Sequence, residues 1–157
     1  MRKSIELGVI PALLLGASLF VIGLLAANHI LNNWWPFDVT RLDLVRDTAL
    51  GQADAALILE AANNEIVLTF LATIFMAVTG LTLPLTAFLN KRFVGMRNPP
   101  FLATLRQAIW VGLWVSFCVW LQMNRTLGLA VAGLVAGVLI MFEVLLQVRT
   151  RAARMTG

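Results

Sequence analysis

LGLAVAGLVAGVLIMFEVLLQV, from Leu127 to Val148, carries one charge, Glu143, in an otherwise apolar run bounded by Arg125 and Arg149. A helix needs about 20 apolar residues to cross a hydrocarbon core roughly 30 Å thick, and this stretch is long enough. Three more segments read the same way. They are residues 7–31, 66–89 and 101–123, the last extending an apolar run that begins at Ala108. The sequence therefore predicts an all-α integral membrane protein with four transmembrane helices, residues 7–31, 66–89, 101–123 and 127–148, arranged as two antiparallel hairpins.

Composition agrees. Of 157 residues, 60% are hydrophobic and 13% charged, and the mean hydropathy of +0.86 argues against a water-soluble core. Outside the spans only residues 32–65 form a sizeable polar stretch, too short for a second domain with its own core. A single four-helix transmembrane domain over 1–157 is expected, ending in a basic tail, 149–157. The net charge of +4 would suggest nucleic acid in a soluble protein. Here the basic residues flank the spans, so they act as topology signals and contacts for lipid headgroups, and no nucleic-acid partner is expected.

Lysine and arginine concentrate in cytoplasmic loops. Arg2, Lys3, Lys91, Arg92, Arg97, Arg106, Arg149, Arg151 and Arg154 share one side if both termini are cytoplasmic, leaving Arg41, Arg46 and Arg125 opposite. That asymmetry predicts both ends inside, and a prokaryotic inner (plasma) membrane is the expected location. The acidic residues divide the other way, Asp38, Asp43, Asp47, Asp54, Glu60 and Glu65 lying outside.

Span one contains Pro11, Gly16, Ala17, Ser18 and Gly23, small residues that let another helix approach closely. Trp34 and Trp35 follow its outer end and read as an interfacial anchor, because an indole is half apolar and half wet. Asp38 is placed to cap an amphipathic helix over about 38–62 on the extracytoplasmic side, with Val39, Leu42, Val45, Ala49, Ala53 and Ala56 at helical spacing. Its polar face is acidic, which suits a position across the bundle or against a partner better than one on anionic lipid. In span two, Pro84 removes a backbone hydrogen bond, and neighbouring threonines are expected to satisfy the freed carbonyl. Asn90 to Pro100 forms the cytoplasmic connection, stiffened by Pro99 and Pro100.

Arg106 and Glu143 form the candidate intramembrane polar pair. A hairpin turning around Arg125 sets Arg106 level with Leu145 and Glu143 level with Ala108, so the two charges meet. A lone carboxylate at that depth costs on the order of 2–3 kcal/mol, which pairing offsets. Gln107 and Gln147 are expected to add hydrogen bonds. A permanently charged arginine lowers a carboxylate pKa and makes it a poor proton carrier, so a staple between spans three and four is the favoured role. Gly133 and Gly137 form a small-xxx-small motif for helix packing. Trp110, Trp114, Phe117 and Leu121 make a stripe in span three, read as a packing or lipid surface ahead of a pigment or quinone contact.

No cofactor or metal site is expected. His29 is the only histidine and Cys118 the only cysteine, so a bis-histidine haem, a zinc cluster and an internal disulfide have no ligands within the chain. No phosphate loop, nucleotide fingerprint or nucleophile–base constellation occurs. The expected role is a non-catalytic accessory or scaffold subunit of a larger membrane protein assembly, of the energy-transducing kind, in contact with membrane lipid and with other subunits or copies of itself. The alternatives are a small oligomeric transporter or channel using Glu143 and Arg106, and a self-associating membrane protein without a large partner.

Overall fold

The computed structural model describes residues 9–34, 40–52, 54–93 and 101–155. Its regular elements are α1 (Val9–Asn33), α2 (Leu42–Ala49), α3 (Ala55–Glu60), α4 (Asn64–Phe93), α5 (Phe101–Met123) and α6 (Leu129–Met155). Four of them, α1, α4, α5 and α6, are long and apolar enough to cross a membrane. Large side chains such as Ile10, Leu14, Leu25, Leu68 and Leu102 are exposed along them. In water that surface would drive aggregation; facing lipid tails it costs nothing. The chain divides into two compact units, Met1–Thr126 and Leu127–Gly157.

Within the first unit α4 is the shared element, packed against both α1 and α5. Gly16 of α1 faces Gly80 and Pro84, and Gly23 faces Ala77, so the residue numbers run in opposite directions and the helices are antiparallel. A Cβ built on Gly16 would lie 2.6 Å from the Gly80 carbonyl oxygen, and one on Gly80 would lie 2.5 Å from the Phe20 backbone nitrogen. The two backbones touch. This is the close approach that the small residues of the first span predict, and its partner is the second span.

The α4–α5 seam is built from α5's buried Thr104, Ala108, Gly112 and Ser116, spaced every four residues. Spacing of four places them along one side of the helix. Ser116 Oγ donates to the Leu71 carbonyl at 3.4 Å, Thr82 Oγ1 lies 3.4 Å from the Ala108 carbonyl, and Asn90 Nδ2 donates to Gln107 Oε1 at 2.9 Å. These pairings also run antiparallel. Where the three helices meet, Leu83 is fully buried in a cluster with Ala12, Ala87 and Ala108, and Leu105 packs against it.

Pro84 does not interrupt α4. Threonine hydroxyls do serve carbonyls of this segment: Thr82 Oγ1 donates to Val78 at 2.8 Å and lies 3.2 Å from the Thr79 carbonyl, and Thr86 Oγ1 donates to Leu83 at 3.0 Å. The Gly80 oxygen points instead at the bare Cα of Gly16, a position suited to a weak Cα–H···O contact.

The single outer helix over 38–62 is also corrected. Residues 42–60 hold two short helices, because Gly51 takes φ +72° just past α2 and turns the chain. Gln52 N–H donates to Asp47 and Gly51 N–H to Thr48, a Schellman closure. Arg41 stands at the N-cap of α2 without a side-chain cap bond, and the expected cap Asp38 lies outside the described residues. Leu42 and Val45 are exposed, so the predicted apolar stripe is not buried there.

The α1–α4 contact makes a prediction. Gly80→Ala forces the two backbones apart and should destabilise the detergent-solubilised chain by about 1–3 kcal/mol. Gly133→Ala, where a Cβ meets nothing within 4 Å, should leave stability unchanged or raise it by up to about 1 kcal/mol. Thermal melts of the two variants should therefore move apart; equal melting temperatures would refute the close contact.

Candidate functional site

The polar groups inside the first unit are held mainly by the chain's own backbone. Thr69 Oγ1 donates to Glu65 at 2.7 Å and Thr73 Oγ1 to Phe70 at 2.7 Å, each one turn back along α4. Such bonds hide a hydroxyl from lipid without requiring a second helix. Thr79 differs. It is 4% exposed, its Oγ1 has no hydrogen-bond partner, and it occupies the space a Gly112 side chain would need. Gly112 is thus required by a hydroxyl pressed against its Cα.

At the other end of α5 the chain closes on a second Schellman motif. Thr126 N–H donates to the Leu121 carbonyl and Arg125 N–H to Gln122, both at 3.0 Å. Arg125 occupies the position usually given to glycine, with φ +55°. A side chain there costs about 1 kcal/mol or more. Arg125 reaches back to donate from Nη2 to the Thr48 carbonyl at 3.2 Å. That carbonyl belongs to the last turn of α2, where a cation also complements the helix dipole. Nearby, Arg41 bonds Asp43 at 2.8 Å and stands 4.0 Å from Glu60, linking α2 to the end of α3.

The sequence-predicted residues fall as follows. Trp34 is exposed just beyond α1, its ring meeting His29 edge-to-face at 6.0 Å and 70°. Asn33 Nδ2 donates to the His29 carbonyl at 2.9 Å and lies 3.1 Å from its Nδ1, so the histidine is tied into the helix end. Trp35 lies outside the described residues. Arg106 is half-buried on α5 in the first unit, and Glu143 stands on α6 in the second. Glu143 Oε1 accepts from Gln147 Nε2 at 2.8 Å, as expected of Gln147. Gln107, expected beside the charged pair, instead accepts from Asn90 of α4.

In the aromatic stripe, Trp110 and Trp114 are half-buried and Leu121 buried. Phe117 stacks at a tilt on Trp120, ring centres 5.6 Å apart. Cys118 is half-buried and free. Among the described residues no group of three or more histidine, cysteine or carboxylate side chains is placed to hold a metal.

Sequence reasoning misses the Arg125–Thr48 bond and the Thr79–Gly112 contact. The first joins residues 77 apart and leaves no local signal. Comparison with protein-family models, with curated proteins and with solved structures finds no match.

The strained arginine separates two substitutions. Arg125→Ala loses the bond to Thr48 and keeps the backbone strain, whereas Arg125→Gly loses both. The glycine variant should therefore be the more stable of the two by about 1 kcal/mol. Both should speed hydrogen exchange in residues 42–49; wild-type protection there in either variant would show that the guanidinium does not hold α2.

Proposed function

We propose that this chain is a non-catalytic scaffold subunit of a larger membrane protein assembly, of the energy-transducing kind found in prokaryotic inner membranes. Both termini lie in the cytoplasm, and α5 pairs with α6 as the second antiparallel hairpin, stapled by Arg106 and Glu143. The reading rests on how the small residues are used. Gly16, Gly23 and Gly80 bring a neighbouring helix to backbone contact inside the first unit, and Gly112 gives room to the Thr79 hydroxyl. Among the described residues nothing within 4 Å meets a Cβ built on Gly133 or Gly137.

In hydrocarbon this difference has energetic meaning. Lipid tails are as apolar as leucine, so covering leucines with protein gains little, and helices associate through close backbone packing and polar contacts. A glycine pair in α6 is therefore where an arriving helix gains most. The threonine hydroxyls of α4, turned toward their own carbonyls, support a packing role over a substrate pathway. The charge pattern of the loops supports the orientation.

Extraction in mild detergent followed by native electrophoresis tests the proposal. The chain should migrate with larger partners, identified by mass spectrometry of the band. Gly133→Leu with Gly137→Leu should release it from them. Migration of the wild type only as a monomer or small homo-oligomer would reject the scaffold role.

A further inference from the structure

Along α6, beyond the Gly133–Gly137 notch, lies a second feature at a different depth. Met141, Val144, Leu145 and Val148 follow one another at helical spacing and line an open apolar groove that ends at Arg149. Glu143 and Gln147, bonded to each other, are turned to the other side of the helix. The groove thus contains no acidic group. The apolar run of α6 ends in sequence at Val148, yet the helix continues to Met155. Arg151 and Arg154 fall in that extension, and no acidic residue follows Glu143. One end of the groove is hydrocarbon-like and the other cationic, at the level where the apolar sequence gives out.

That charge pattern complements one class of molecule abundant in a bilayer. We propose that α6 binds an anionic phospholipid, its acyl chain along Met141, Val144, Leu145 and Val148 and its phosphate at Arg149. A guanidinium presents several donors in a plane and engages phosphate through two of them at once. Arg151 and Arg154 follow in the sequence and carry the same charge. Each basic residue close to an anionic surface raises affinity roughly fivefold. Three such charges outweigh the partial negative charge of about one half at the helix C-terminus, which alone would repel an anion. A zwitterionic lipid of the same chain length fits the groove equally but gains little from the arginines.

Native mass spectrometry of the full chain, titrated with phosphatidylglycerol or phosphatidylcholine of identical acyl chains, tests this. The wild type should retain phosphatidylglycerol preferentially. Arg149→Gln, Arg151→Gln and Arg154→Gln together should cut that preference roughly a hundredfold, leaving phosphatidylcholine retention unchanged. Lys91→Gln with Arg92→Gln, at the end of α4, should leave it intact. Val144→Trp, which fills the groove and keeps every arginine, should also lower retention, so a triple variant that fails to fold does not remove the test. Equal retention of the two lipids, an unchanged triple variant, or an unaffected Val144→Trp variant would overturn the proposal. Partner association read by native electrophoresis stays independent, since the Gly133–Gly137 notch is left intact.

Discussion

A carbonyl without its helical partner governs the packing of the first unit. Pro84 has no N–H to offer Gly80, and in hydrocarbon no water replaces it. The oxygen is exposed on the side of α4 that meets α1, where only a residue without a side chain can approach. Gly16 supplies that approach, and Gly23 opposite Ala77 keeps the helices close farther along. A proline that would break a helix in water here selects its neighbour. The same side chain that removes a hydrogen bond also packs against Gly16, so defect and contact are one feature.

The second face of α4 obeys a different rule. Toward α5 the seam uses small hydroxyl-bearing residues, with Ser116 and Thr82 reaching carbonyls of the facing helix and Asn90 joined to Gln107 near one end. Interhelical bonds of this kind are worth about 0.6 kcal/mol on average in a membrane, because the separated helices also find partners. Their value lies in register. Thr79 against Gly112 fixes it further, since sliding α5 by one residue would bring a side chain into the space of a buried hydroxyl. α4 therefore works as a two-sided plate, glycine and proline on one side and hydroxyls on the other.

How far the residues alone announce this depends on the length scale of each signal. The spans are legible because an apolar run of membrane length is seldom anything but a crossing; the four helices start within two residues of their expected bounds, while α4 runs four residues and α6 seven residues past theirs, the latter into the basic tail. The small residues of span one are legible too, as a close-packing face. The α5 seam is not, although Thr104, Ala108, Gly112 and Ser116 repeat every four residues; the larger tryptophans of the same helix point toward another side. The spacing of the outer segment predicts one continuous helix because its apolar period persists through Gly51, and one glycine with positive φ outweighs that periodicity. Gln107 has a charged neighbour within reach of its sequence position, but an amide on α4 is its actual partner. Polar residues near helix ends have several partners of similar chemistry, and sequence does not rank distances.

The tie between Arg125 and Thr48 also has a consequence in time. A membrane chain is threaded from its first residue onward, and these two are separated by 77 positions. The carbonyl of Thr48 is already made when α4 follows it, but its cation arrives only after α5 has been made behind it. Until then α2 has its own short length and the Arg41 contacts with Asp43 and Glu60 to hold it, and its length alone is less than an isolated helix needs to persist in water. The α2 segment is thus completed late, by the last residues of the first unit to be made, and its order in a nascent chain reports that α5 is in place.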